Sequence, residues 1–169
     1  MNEIDDLESL FLHDIPLIDT RAPVEFSKGS LPLASNLPLM IDEEREAVGI
    51  CYEQKGQAAA IRLGHELVNG ARKAERLNQW IHFSQQHPDG ALFCFRGGLR
   101  SEITQSWLEE HGIRYPRIRG GYKAMRRWLI DAVERTCTHT PLLLLGGKTG
   151  SAKTRVLNEG FFDKPIKGS

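Results

Sequence analysis

No stretch of this 169-residue chain is apolar over the ~20 residues that a membrane-spanning helix requires. The start, Met1-Asn2-Glu3-Ile4-Asp5-Asp6, is acidic and lacks the basic, apolar pattern of a secretory leader. Cysteine is scarce: Cys51, Cys94 and Cys137 are odd in number and stand at no metal-like spacing, which argues against both a disulfide framework and a zinc site. Net charge is also missing, since 22 Lys and Arg balance 22 Asp and Glu. The chain is therefore expected to be a cytoplasmic protein of a reducing compartment, with no metal and no membrane partner.

What is present is ordinary for a globular domain: 40% hydrophobic and 26% charged residues, enough for one good core. The charges are unevenly distributed. Residues 1–48 hold 11 acidic and 3 basic side chains, whereas 96–127 hold 8 basic and 3 acidic, so a polyanionic substrate would be drawn to the second segment.

The segment Ala91-Leu92-Phe93-Cys94-Phe95-Arg96-Gly97-Gly98-Leu99-Arg100-Ser101 organises the rest. It reads as a strand, a glycine-rich loop and a helix start, with Ile103, Trp107 and Leu108 at helical spacing and a stop at Gly112. A thiol must ionise to act as a nucleophile, and helix-terminal amides with the Arg96 and Arg100 cations favour the ionised form. The same groups favour a bound oxyanion. Gly97 and Gly98 are expected to let the loop curl through positive φ. Cys94 is thus the candidate nucleophile, and Phe95, Arg96, Gly97, Gly98, Leu99, Arg100 and Ser101 are the candidate anion-binding residues.

Around this segment, apolar spacing predicts a helix over 3–13, a buried strand at 15–19, a short helix over 22–28 and a strand at 34–38. Two helices follow, one opening at Asp42-Glu43-Glu44-Arg45-Glu46 and one over 58–68, then another over 72–87. A strand at 113–118 and a helix over 123–135 complete the alternation, which predicts a parallel α/β sheet with helices on both faces. Ligands of such sheets bind at the carboxyl ends of the strands, where Cys94 stands. Cys51 reads as a small buried hydrophobe beside Ile50 and Tyr52, and His65 as structural. Cys137 falls in a polar stretch, Thr136 to Thr140, which reads as a domain boundary.

After that boundary, four leucines at 142–145 signal a buried strand, and Gly146-Gly147-Lys148-Thr149-Gly150-Ser151-Ala152-Lys153-Thr154 follows. This resembles a P-loop, with Gly147, Gly150, Lys153 and Thr154 as candidate phosphate-binding residues. Ala152 stands where a glycine is usual, so a position needing positive φ would be strained. Only 15 residues follow Thr154, too few for a complete P-loop domain, and the tail with Phe161-Phe162 is expected to be mobile.

Taken with Ile18-Asp19-Thr20-Arg21-Ala22-Pro23-Val24-Glu25-Phe26 and Gly120-Gly121-Tyr122-Lys123-Ala124, the Cys94 loop resembles a rhodanese domain. The Cys-x-Arg-Gly-Gly-x-Arg-Ser loop, a segment inserted at about 40–70 and the P-loop-like stretch together resemble the bacterial tRNA 2-selenouridine synthase family. The resemblance implies a rhodanese-like domain over 1–138 and a linker with a truncated P-loop segment over 139–169. It implies a transferase that replaces the sulfur of wobble 2-thiouridine in tRNA by selenium from selenophosphate, through a geranylated intermediate and a perselenide on Cys94. The partners implied are tRNA and selenophosphate or a selenium-donor protein; geranyl diphosphate is a co-substrate, and no cofactor is tightly held. Asp19 and Arg21 become mainly architectural, the insertion borders the pocket, and the basic stretch 114–127 meets the tRNA backbone. A general sulfurtransferase, a cysteine phosphatase reading of the Cys-x5-Arg spacing, and a non-enzymatic docking module remain open.

Overall fold

The computed structural model describes residues 2–139 and 146–158. The elements in chain order are β1 (Glu3–Ile4), α1 (Leu7–Leu12), β2 (Leu17–Asp19), α2 (Pro23–Ser27), β3 (Ala34–Asn36), α3 (Asp42–Lys55) and α4 (Gln57–Leu67). Then come α5 (Gly70–Gln86), β4 (Ala91–Phe93), α6 (Leu99–Glu109), β5 (Arg117–Ile118), α7 (Gly121–His139) and α8 (Lys153–Asn158). Two compact units divide after Asp131, within α7.

In the first unit all strand pairings are parallel, in the order β1-β5-β4-β2-β3, which puts β4 at the centre. Every residue of β2 and β4 is buried, as happens when helices cover both faces of a parallel sheet. Strand alternation sends Ile18 and Leu92 to one face, where they join Trp80 of α5 and Trp107 and Leu108 of α6. Leu17, Ala91, Phe93 and Ile118 face the other way and meet Leu10 of α1 and Met125 of α7. The expected arrangement of a parallel sheet between two helical layers is therefore present. Trp80 is fully buried without leaving its polar atom unpaired, because its Nε1 donates to the Leu37 carbonyl at 2.9 Å.

Three boundaries depart from the expectation. The N-terminal segment begins as a strand, since Glu3 and Ile4 pair with Arg117 and Ile118 before Asp6 caps α1 by accepting from Ser9 N at 3.0 Å. The predicted strand at 113–118 is reduced to Arg117–Ile118. Pro116 lacks an N–H for the ladder, and Tyr115 instead turns into the core and donates to the His87 carbonyl at 3.0 Å. Helix α7 continues to His139, so Cys137 lies on a helix and not in a linker, exposed to solvent. The last turn is supported from within, Thr138 Oγ1 donating to the Glu134 carbonyl at 2.7 Å. The strand expected at 142–145 and the tail with Phe161-Phe162 lie outside the described residues. Among the described residues, no helix is long and apolar enough to cross a membrane.

The end of β2 is held by a buried ion pair. Arg21 Nη2 meets Asp19 Oδ2 at 2.6 Å, both side chains essentially without exposure, and the same guanidinium donates to the Gly29 carbonyl at 2.9 Å. It also lies 3.8 Å from the centre of the Tyr122 ring, so β2, the exit of α2 and the start of α7 converge on one cation. Removing one partner of such a pair leaves the other charge buried without compensation, which costs about 3–5 kcal/mol. Asp19→Asn is therefore expected to lower unfolding free energy by about that amount in urea titration; a change below about 1 kcal/mol would show the pair to be dispensable.

Candidate active site

Cys94 is the first residue beyond β4, so the central strand delivers its sulfur to the carboxyl edge of the sheet. The residue is only 3% exposed. Its Sγ lies 3.4 Å from Ser101 Oγ and 3.8 Å from the Gly98 carbonyl oxygen, while Ser101 Oγ donates to that carbonyl at 2.8 Å. Ser101 sits in the first turn of α6, within hydrogen-bonding reach of the sulfur. Its hydroxyl rotates freely enough to exchange the carbonyl for a charged sulfur as acceptor.

The loop is shaped by contact with the β5–α7 turn. Gly97 has φ +67°, and a Cβ there would stand 2.7 Å from Gly120 N and 2.8 Å from the Ile118 carbonyl oxygen. Gly121, at φ +57°, has the reciprocal restriction, because a Cβ there would run into the Cys94 carbonyl and Gly97 N. Gly98 does not share the expected positive φ; it is extended, at φ −100° and ψ −145°. The start of α7 takes the loop carbonyls: Tyr122 N donates to Cys94 O and Lys123 N to Phe95 O, each at 3.0 Å. Among the described residues, the N–H groups of Phe95, Arg96, Gly97 and Gly98, and those of Leu99, Arg100 and Ser101 in the first turn of α6, donate to no acceptor in the protein. These are free donors beside one sulfur, suited to an oxyanion or a charged chalcogen.

A cavity of about 680 Å³ opens at this sulfur. Cys94, Phe95, Arg96, Gly98, Leu99 and Arg100 line it together with Arg21 and Tyr122, whereas Gly97 and Ser101 of the expected set are not among its lining residues. The sequence did not point to Glu25, Lys28 and Arg45, which also line it. Glu25 holds Arg100 through two bonds, Nη1–Oε2 at 2.5 Å and Nη2–Oε1 at 3.1 Å, and holds Arg45 Nε at 3.2 Å. It also accepts from Ala22 N at 3.1 Å. Residues 25, 45 and 100 come from α2, α3 and α6, so no local spacing could have joined them. Burial alone would raise the Glu25 carboxyl, but the Arg100 hydrogen bond and charge, the Ala22 amide and Arg45 outweigh it and hold its pKa below the ordinary value. Burial pulls the Arg100 guanidinium down, and its Glu25 bonds, with the nearby charges of Cys94 and Asp19, more than reverse that. Arg100 stays charged.

Arg45 belongs to α3, which packs against α4 as a hairpin, and it borders the site. A second, mainly apolar cavity of about 620 Å³ lies between α3, α4 and α6, walled by Val48, Ile61, Ile103 and Trp107. It shares Arg45, Leu99 and Arg100 with the first. Cys51 on α3 is half-buried, and its neighbours Ile50 and Tyr52 are exposed and line this cavity, not the core. His65 is exposed, its ring tilted against Trp107 with centroids 6.4 Å apart.

The basic stretch is less free than its composition suggests. Arg117 pairs with Glu3 at 2.8 Å and Glu102 at 2.7 Å, and Arg119 pairs with Glu3 at 3.1 Å. Part of the acidic excess of the N-terminus is thus neutralised against it. Arg114, Lys123, Arg126 and Arg127 remain exposed.

In the second unit, the loop before α8 folds around its own lysine. Lys153 Nζ donates to the carbonyls of Gly147 and Lys148, each at 2.8 Å, and Gly150 has φ +85°. Thr154 is exposed at the start of α8. Ala152 has φ +58°, the left-handed region, so this position does require the conformation that alanine resists.

Comparison with known proteins follows the same lines. No family model matches the chain. It is 58% identical over 92% of its length to a tRNA 2-selenouridine synthase of Marinobacter nauticus. It is 56% identical over 91% to that of Pseudomonas entomophila and 59% identical over 91% to that of Bordetella bronchiseptica. The chain is related to the bacterial tRNA 2-selenouridine synthases. In each case it spans 42% of the relative, so it represents less than half the length of the curated synthases it matches. Among solved structures, it resembles the N-terminal domain of a protein described as ATP/GTP-binding from Clostridium difficile 630. That match has a TM-score of 0.65 and 26% identity, and covers 76% of this chain and 99% of the other.

Two outcomes follow for this synthase relative. Because the Glu25 pKa is lowered on folding, its tether is complete above the ordinary carboxylate value of 4.5 and is lost as pH falls through the lower folded value. A carboxyl-carbon NMR titration is expected to give a Glu25 midpoint below 4.5; a midpoint at or above it would mean that the arginines do not hold this carboxylate in solution. Ala152→Gly removes left-handed strain of roughly 1–2 kcal/mol, partly offset by the extra freedom of unfolded glycine. Slower hydrogen exchange over 146–158 is expected, and unchanged or faster exchange would count against strain at Ala152.

Proposed function

We propose that the Met1–Asp131 unit is a rhodanese-like chalcogen-transfer domain operating within a tRNA 2-selenouridine synthase, an enzyme of tRNA modification. In this reading the enzyme replaces the sulfur of wobble 2-thiouridine by selenium from selenophosphate, through a geranylated thiouridine, in the cytoplasm. Cys94 is the nucleophile and carries selenium as a perselenide: its thiolate attacks the outer selenium of a selenium-donor protein's perselenide, the Sγ–Se bond forming as the donor's S–Se bond breaks and the donor's thiolate leaves.

The observation that carries the reading is the setting of Cys94 Sγ, at the end of the central strand and followed by loop N–H groups that have no acceptor among the described residues. Such donors stabilise negative charge wherever it develops on a species at that sulfur, and are already oriented before reaction. Ser101 Oγ, 3.4 Å away, exchanges a hydrogen bond with the sulfur as its charge changes. Arg96 and Arg100, with the exposed Arg114, Lys123, Arg126 and Arg127, supply cations for phosphate groups of the donor and of tRNA. The adjoining apolar cavity gives a hydrocarbon chain on the modified base a place away from water. The Gly147 to Thr154 loop, with its Lys153 ammonium, belongs in this reading to a phosphate-binding segment of the longer enzyme.

The test is Cys94→Ser in the full-length enzyme, supplied with 2-thiouridine tRNA, selenophosphate and geranyl diphosphate. Selenouridine formation is expected to fall below detection, and intact-mass analysis of the unsubstituted enzyme given a protein-bound perselenide donor is expected to place selenium on Cys94. Substantial selenouridine formation by the serine variant would remove Cys94 from the reaction.

A further inference from the structure

The cavity at Cys94 contains more positive charge than one tetrahedral anion at the loop needs. Arg21, Lys28, Arg45, Arg96 and Arg100 line it against a single carboxylate, Glu25. Their commitments differ. Arg21 is consumed by Asp19 and the Gly29 carbonyl, and both Nη groups of Arg100 are turned onto Glu25. Arg45 meets Glu25 most closely through Nε, at 3.2 Å, and among the described residues neither of its Nη groups donates a hydrogen bond to the protein. Lys28, exposed just past α2, carries no ion pair among the described residues.

We propose that Arg45 and Lys28 form a second anion-binding position of the Cys94 cavity, which takes a phosphoryl or phosphate-ester group of a substrate whose reacting atom lies at Sγ. The loop amides hold charge at the sulfur. Arg45, brought by α3 and aimed by Glu25, holds a phosphate at the rim, with its planar fork presenting two N–H₂ groups to the anion. Glu25 is then a positioning residue, fixing Arg45 and Arg100 at once, and α3 supplies a binding residue as well as a wall. The inference rests on the preceding reading only in taking Cys94 Sγ as the reacting atom.

The test uses the unmodified chain and measures alkylation of Cys94, quantified at that residue by mass spectrometry, with anionic iodoacetate and neutral iodoacetamide. Inorganic phosphate is expected to protect Cys94 from iodoacetate. Arg45→Gln is expected to raise the half-protecting phosphate concentration about three- to tenfold, a range between an exposed ion pair and a charge-assisted hydrogen bond. Arg45→Lys is expected to fall between the parent and Arg45→Gln, since it keeps the charge and loses the planar fork. The iodoacetamide rate is expected to be unchanged. A short oligouridylate, whose phosphates are diesters, serves as a parallel protectant. Arg45-dependent protection by phosphate alone assigns the position to the donor's phosphoryl group, and by the oligonucleotide alone to the RNA backbone; either supports the site. Protection equal in parent and Arg45→Gln overturns the proposal, as does a loss of rate that is equal for both reagents, which a purely structural role produces. Should Arg45→Gln fail to fold, Lys28→Gln decides: weakened protection supports the site and unchanged protection overturns it. None of these readouts requires chalcogen transfer, so their failure is distinct from failure of the Cys94→Ser experiment.

Discussion

Two carbonyls of the loop after β4 are taken by the start of α7 while its N–H groups have no acceptor among the described residues, and so close an approach is possible only where two backbones touch without a Cβ between them. Gly97 and Gly121 supply that contact, and Tyr122 N and Lys123 N receive the carbonyls of Cys94 and Phe95. A backbone amide left without a partner is normally a liability. Here the helix α7 offsets it by satisfying the opposite groups of the same peptides. The sulfur, the amides and Ser101 are consequently set by packing of two glycine turns, before any substrate arrives.

Charge around the cavity is arranged through one shared carboxylate. Glu25 joins α2, α3 and the start of α6, so the shape of the cavity mouth and the direction of two guanidinium groups are decided together. Helix α3 is fastened independently by Asp42, which accepts from Val24 N at 2.9 Å, and by the buried Glu44, which pairs with Arg76 at 2.8 Å. A helix tied at these points brings Arg45 to the cavity at little additional entropic cost, because its backbone is already ordered.

The parallel sheet, its helical layers and the place of Cys94 were legible in the sequence, because buried strands and amphipathic helices announce themselves by the spacing of apolar residues. Where the reading departed, non-local pairing had overridden a local pattern. Ile4 fits the helical spacing of Leu7 and Leu10, yet Glu3 and Ile4 join β5. The composition of Thr136 to Thr140 suggests a linker, while α7 extends through His139. The basic excess of 96–127 is real as a count, yet Arg117 and Arg119 are occupied by acids from the opposite end of the chain.

By itself the sequence determined which cysteine ends the central strand, which loop follows it and which layers enclose it, since these depend on residue type at short range. Only the tertiary structure decided that Arg100 is turned onto Glu25, that Arg45 and Lys28 border the cavity, that Gly97 and not Gly98 uses the left-handed region, and that Ala152 is held there. Each of these depends on groups far apart in the chain or on a backbone angle, and neither is encoded in the spacing of neighbours.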